Sequence, residues 1–325
     1  MQSFSYTIIQ WLFFFYFYCF FGWCFESAYV SLKKRRLTNR GFMRGPFLPL
    51  YGSGAMMMLI VARPFLDLPS PQRWILTYVA GCIGATILEY ITGVTMEALF
   101  KVRYWDYSRN PLNFQGHICL GTSLAWGVLT LFMTEILHRQ VERIVFSVPY
   151  VVLTVLTLLL TVLIAGDLAL SFKAALDLKD VLVRMEKART ELVHLQKRLD
   201  VIIAIADEEI EQKKEEFVQR KDEFAQKKDE FTGRVVDLKE GIEDKFETII
   251  NLIHSKSGEH LEGISEELGE LKTKYTRVIV DHESLTKLRD FFQRDMIRSN
   301  PTMTSPKFRE SFEELKEQVK KKNKK

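Results

Sequence analysis

Residues 151–199 read "VVLTVLTLLLTVLIAGDLALSF" and then "KAALDLKDVLVRMEKARTELVHLQKRL", with no glycine or proline at the join. The first part holds a single charge in 22 residues, Asp167, and its length suits the roughly 20 apolar residues that span a bilayer. The second part is rich in Lys, Glu, Leu and Asp, the composition of a long water-facing helix. This change of solvent at residue 172 decides the fold. It predicts an all-α chain with a polytopic transmembrane helix bundle in 1–172 and a long coiled-coil helical hairpin in 173–298. A basic tail, 299–325, ends in "KKKNKK".

The two halves differ in charge as well. Residues 1–172 hold 13 Lys/Arg and 8 Asp/Glu, and the remainder holds 32 and 33. The overall +4 is therefore local and offers no organised basic face for nucleic acid. Apolar runs predict about five spans, at roughly 7–31, 47–66, 74–100, 118–138 and 144–172. Glycines and prolines interrupt the start of the second. The first has no basic leader and no small-residue cleavage site, so it reads as a retained span.

Lys and Arg in the short loops orient the bundle. "KKRRLTNRGFMR" after the first span carries six, and "KVRYWDYSRN" after the third carries three. Arg63 and Arg73 lie by the loop after the second span, and Arg139 and Arg143 by that after the fourth. These counts predict a multi-pass protein of the cell membrane, with its N-terminus outside and its coiled coil in the cytoplasm.

Polar groups are costly inside a bilayer, which makes the few acidic residues of the spans informative. Glu26 precedes Lys33 by seven residues, about 10 Å at helical rise, and Glu89 precedes Lys101 by twelve, about 18 Å. Glu97 is shallower, and Asp167 lies near the cytoplasmic end of the last span. Gly81, Ala85, Glu89, Gly93 and Glu97 recur at steps of four and form one slowly winding stripe. Small residues on such a stripe let another helix approach closely. Glu26, Glu89 and Glu97 are accordingly candidates for an intramembrane polar site. Such a site would serve a proton- or cation-coupled pathway, a charged ligand or catalysis, and the alternative role for these glutamates is hydrogen bonding to neighbouring helices or pairing with arginines of the basic loops. At the cytoplasmic rim, Asn39, Arg40, Arg44, Arg103 and Asp106 form a candidate cluster, with both early arginines expected to face Glu26, Glu97 or Asp106. Its guanidinium groups would also suit a lipid phosphate.

In the arm, Leu192, Leu195, Leu199, Ile202, Ala206 and Ile210 recur at three- and four-residue steps. Phe217, Phe224 and Phe231 stand seven apart, and Val235, Leu238, Ile242, Phe246, Ile249 and Ile253 resume the seam. "SKSG" at 255–258 predicts a turn, followed by a second seam from Leu261 to Met296. Such stripes predict coiled-coil self-association or a protein partner.

Cys19, Cys24, Cys82 and Cys119 form no C-x-x-C pair, and the six histidines are scattered, so neither a disulfide framework nor a metal site is expected. No cofactor-binding motif is present. H-E-x-x-H and G-x-S-x-G are missing, and so is the phosphate-binding G-x-x-x-x-G-K-[ST] loop, so the chain is not an ATPase.

Two stretches, "FFGWCFESAYVSLKKRRLTNRGFMRGPFLPLYGSGA" (20–55) and "LEYITGVTMEALFKVRYWDYSRNPLNFQGHICLGTSLAWG" (88–127), carry a resemblance. They resemble the bacterial CmpB-type family labelled "putative ABC-transporter type IV", whose members share G-W-x-x-E, N-R-G-F-x-x-G-P-x-x-P-x-Y-G and W-D-Y-S in this order. The matching positions are Trp23, Glu26, Asn39, Arg40, Gly41, Gly45, Pro46, Pro49, Tyr51, Gly52, Glu89, Glu97, Trp105, Asp106 and Tyr107. "RSNPTMTSPKFRESFEELK" (298–316) is similar to the end of longer members. The resemblance implies a permease-type protein of the bacterial inner membrane, among membrane lipids, with a separate ATPase subunit. It implies no substrate and no residue roles. Two other functions remain open on the sequence: a scaffold or sensor acting through the coiled coil, and a lipid-modifying enzyme using the Arg/Glu/Asp cluster.

Overall fold

A computed structural model describes residues 6–208, 235–254, 261–287 and 291–321. Among them the chain is almost wholly helical. Helix α1 spans Ile8–Lys34, opened by a reciprocal cap in which Thr7 and Gln10 exchange side-chain and backbone hydrogen bonds. Helix α2 spans Pro49–Ala62 and α3 spans Gln72–Phe100. A two-residue β-hairpin follows, β1 (Asn113–Phe114) against β2 (Ile118–Cys119). Helix α4 (Leu120–Phe132) passes through a π-helical turn, Met133–Leu137, into α5 (His138–Ser147). Helix α6 spans Tyr150–Glu208.

Four helical stretches among the described residues are long and apolar enough to cross a membrane: Ile8–Lys34, Gln72–Phe100, Leu120–Ser147 and Tyr150–Ile203. The expected second span is the exception. Its helix has 14 residues, about 21 Å at helical rise against roughly 30 Å of hydrocarbon. Gly45, Pro46 and Pro49 delay its start, and the Arg63–Pro64 pair tightens its end into a single 3-10 turn. The irregular backbone before it is covered by protein: Met43 and Leu48 are buried, and the Leu48 amide donates to the Cys19 carbonyl of α1 at 3.0 Å. That is the condition under which non-helical backbone is tolerated at membrane depth. The break expected at 138–144 also moves, to Val148–Pro149, because the π turn carries the helix through His138. At residue 172 nothing breaks, since a change from apolar to charged side chains does not interrupt backbone hydrogen bonding.

Close approach holds these helices together. α1 packs on α2, α2 on α3, and α3 along α4. The stripe read from the sequence is the packed face of α3: Gly81, Ala85, Glu89 and Gly93 are all buried. A side-chain carbon added at Gly81 would run into Thr130 of α4, and one at Gly22 would run into Tyr51 of α2. We expect Gly81→Val to cost about 1–3 kcal/mol through overpacking. Thermal unfolding of the purified chain checks this. An unchanged midpoint would mean that α3 and α4 are not in contact there.

The chain divides into two compact units, Met1–Lys179 with Asp290–Lys307, and Asp180–Arg289 with Phe308–Lys325. In the first, helix α9 (Phe291–Ser299) and the strand-like stretch after it join the loop between α3 and β1. Arg103 and Thr304 exchange backbone hydrogen bonds of 2.7 and 2.9 Å.

In the second unit, α7 (Val235–His254), α8 (Leu261–Thr286) and the late part of α6 share one core. It gathers Leu192, Leu195, Leu199 and Ile202 with Val235, Leu238, Ile242, Phe246 and Ile249, and with Leu268, Leu271, Tyr275 and Val278. These seam positions are therefore covered by the same chain. Helix α10 (Arg309–Lys321) lies within the stretch read as a basic tail, and it buries Phe312, Leu315 and Val319 while packing on α8. The turn expected at 255–258 and the Phe217, Phe224, Phe231 repeat lie outside the described residues.

Candidate functional site

Helix α1 ends at Arg35, a left-handed residue that turns the chain back over the helix. Trp23 on α1 donates its indole N–H to Asn39 Oδ1 at 2.6 Å, and Asn39 Nδ2 donates to the Arg44 carbonyl at 2.6 Å. These bonds bring Arg40 under α1. Its Nε lies 3.5 Å from Glu26 Oε1, and its backbone N–H donates to Ser27 Oγ at 3.1 Å. Tyr51, in the first turn of α2, donates its hydroxyl to Glu26 Oε2 at 2.9 Å.

The far side of Arg40 is held by the segment after α9. Arg40 Nη1 donates to Asn300 Oδ1 at 2.9 Å, and Nη2 donates to Thr302 Oγ1 at 3.1 Å and to the Tyr104 carbonyl at 3.2 Å. Asn300 is only 1% exposed, and its amide nitrogen donates to the carbonyls of Gly41 and Met296.

Glu89 occupies the middle of α3 and is 4% exposed. Tyr107 donates its hydroxyl to Oε1 and Trp126 of α4 donates its indole N–H to Oε2, both at 3.0 Å. Glu97, two turns later, faces a different set. Arg103 Nε lies 2.6 Å and His117 Nε2 3.1 Å from its Oε2. Asp106 completes that group, accepting from the Ser108 amide and hydroxyl, with Arg103 Nη1 at 3.8 Å. Burial pushes the Asp106 carboxyl up, but the Ser108 hydrogen bonds and the Arg103 guanidinium outweigh it and leave it below the usual range. Burial, and then the Arg103 charge, hold the His117 imidazole below its ordinary value, against the pull of Glu97 and Asp106.

A cavity of about 490 Å³ opens between these elements. Glu26, Arg40, Tyr51, Glu89, Tyr104, Trp105, Tyr107, Trp126 and Asn300 contribute its polar and aromatic wall. Met96, Leu99, Phe100, Leu168 and Phe172 contribute apolar wall. Of the three glutamates singled out from the sequence, Glu26 and Glu89 therefore share one cavity, and Glu97 lies in the neighbouring Arg103–His117 group.

The rim residues divide similarly. Arg40 meets Glu26, and Arg103 meets Glu97 and Asp106. Arg44 departs from the expectation: its guanidinium carbon sits 4.6 and 4.7 Å from the ring centroids of Phe291 and Phe292, a cation–π arrangement. Asp167 accepts from the Gly45 amide at 2.8 Å and so ties α6 to the bend before α2. The remaining motif positions shape this bend: Gly41 has φ 146°, Pro46 precedes α2, Pro49 opens it, and Gly52 packs on Cys19.

Sequence reading gave no role to Trp126, Asn300 or Thr302. The only signal for the last two was their place in "RSNPTMTSPKFRESFEELK", the stretch similar to the end of longer family members. It also left His138 without a partner. That ring is fully buried, with Tyr18 Oη 2.8 Å from Nδ1 and Tyr6 Oη 2.9 Å from Nε2, while Tyr6 also donates to Glu142 at 2.8 Å.

No cluster of metal-binding side chains occurs among the described residues. Residues 13–172 match the family model described as "Putative ABC-transporter type IV". No curated protein and no solved structure matches the chain.

Proposed function

With residues 13–172 belonging to the family described as "putative ABC-transporter type IV", we propose that the chain is a permease-type membrane protein whose ligand site is the cavity at Glu26 and Glu89. The observation that supports this reading is the convergence of α1, α2, α3, α4 and α6 on that one cavity, through Glu26, Tyr51, Glu89, Trp126 and Phe172. Polar groups that are costly in hydrocarbon are there directed into a shared interior space. The positively charged loops support an orientation with the coiled-coil arm in the cytoplasm and the N-terminus outside. ATP hydrolysis falls to a separate subunit, because the sequence carries no phosphate-binding loop.

Metabolite profiling of a strain lacking the protein names the solutes to test, and proteoliposome uptake of those solutes tests the reading. Glu26→Gln and Glu89→Gln should each reduce uptake about tenfold, the effect of removing one well-placed interaction of about 1.4 kcal/mol. Uptake equal to wild type in both folded variants would overturn it. One observation favours a second reading, a sensor: Asn300, from the segment of the first unit that lies in sequence between the two stretches of the second, bonds the same Arg40 that pairs with Glu26. A phenotype lost in both variants, with no uptake in any protein, would support the sensor.

A further inference from the structure

The geometry points to an amphipathic organic cation as the ligand of this cavity, an alkylammonium head on an apolar body. The inference rests on the cavity reading above and deepens it by assigning a chemical class.

The carboxylates and guanidinium in the wall are unequal in number. Glu26 and Glu89 stand against Arg40 alone. Arg40 is already committed on every nitrogen, to Glu26, Asn300, Thr302 and the Tyr104 carbonyl. An entering anion would have to displace one of these partners and would meet two carboxylates. Glu89 differs from Glu26, because its two partners, Tyr107 and Trp126, are neutral donors and no cation pairs with it among the described residues. Each carboxylate oxygen keeps further acceptor capacity. A buried carboxylate without a counter-charge is costly, and an ammonium group entering the cavity would supply that charge.

The surroundings favour an organic cation over a metal ion. Tyr51, Tyr104, Trp105, Tyr107 and Trp126 border the cavity, and aromatic rings attract ammonium groups through their quadrupoles. A calcium- or magnesium-type ion is held by several oxygen ligands, chiefly carboxylates, and no cluster of three or more Asp, Glu, His or Cys side chains that could hold a metal ion occurs among the described residues. Met96, Leu99, Phe100, Leu168 and Phe172 would remain uncovered by a small ion but would bury an alkyl or aryl body. The volume of about 490 Å³ lies in the range of pockets that enclose small organic ligands.

The test titrates the full-length chain, in nanodiscs of zwitterionic lipid with empty nanodiscs subtracted, with hexyltrimethylammonium, 1-hexanol and hexanoate. Binding is read by calorimetry. Hexyltrimethylammonium should bind saturably at least about tenfold tighter than 1-hexanol, with hexanoate weakest. Glu89→Gln should bring the ammonium probe to the level of 1-hexanol and leave 1-hexanol itself unchanged. Should that variant fail to fold, the ranking of the three probes on the wild-type chain decides alone. Hexanoate or 1-hexanol binding as tightly as the ammonium probe overturns the ligand class and leaves the cavity as a site. Saturable binding of none of the three overturns the cavity reading as well.

Discussion

Arg40→Ala should lower the thermal unfolding midpoint of the first unit more than any other single change at the rim. We expect a loss of about 3 kcal/mol, the lower end of the range for breaking a buried ion pair, because Glu26 keeps a quarter of its side-chain surface accessible. The substitution leaves the Glu26 carboxylate with the Tyr51 hydroxyl alone, and it removes a partner from Asn300, Thr302 and the Tyr104 carbonyl at once. Such shared partners make the loss larger than an exposed salt bridge would give. Arg40→Lys should recover only part of the loss, since an ammonium point charge cannot reach all these acceptors from one planar fork. Differential scanning of the purified chain checks both variants. A wild-type midpoint for Arg40→Ala would show that the rim network does not hold the unit together.

Phe312→Ala should be of similar or greater size in the second unit. Its ring is fully buried on α10, in a stretch whose composition suggested only a basic tail, and truncating a core phenylalanine costs about 3–5 kcal/mol. The hydrogen bond from Ser311 to Glu186 and the contacts of Arg189 with Glu310 and of His282 with Glu314 limit how far α10 can shift to fill the space. Hydrogen exchange should show loss of protection in α10 and in α8, on which it packs. Unchanged protection would contradict the packing of α10 against this core.

Local physics made much of this legible in advance. Steps of four along α3 carried Gly81, Ala85, Glu89 and Gly93 to one face because the helix advances only about 40° over four residues. Opposite charges within and beside the apolar runs brought Arg40 to Glu26 and Arg103 to Glu97, as Coulomb attraction and the cost of burial require. The shortness of α2 was visible in outline in its glycines and prolines, but hydropathy over 47–66 concealed it.

What stayed hidden depends on contacts distant in sequence. Arg44 has a carboxylate-rich neighbourhood on paper, yet it lies over Phe291 and Phe292, nearly 250 residues away in the chain. Asn300 reaches Arg40 across 260 positions, and no periodicity marks it. Trp126 had no role on the sequence, and only the approach of α4 to α3 brings its N–H to Glu89. Seams at 192–202, 235–249 and 268–278 were each evident, but a stripe does not say which other stripe will cover it.

The carboxylate of Glu89 at the cavity wall is the centre of the functional account. Its most direct test is complementation of a strain lacking the protein, comparing Glu89→Gln with Glu135→Gln at equal membrane abundance and equal thermal stability. Glu135 lies outside the cavity, paired with Arg73 and Arg139. Glu89→Gln should fail to restore the phenotype, and Glu135→Gln should restore it. Full restoration by a folded Glu89→Gln protein would contradict this role for Glu89.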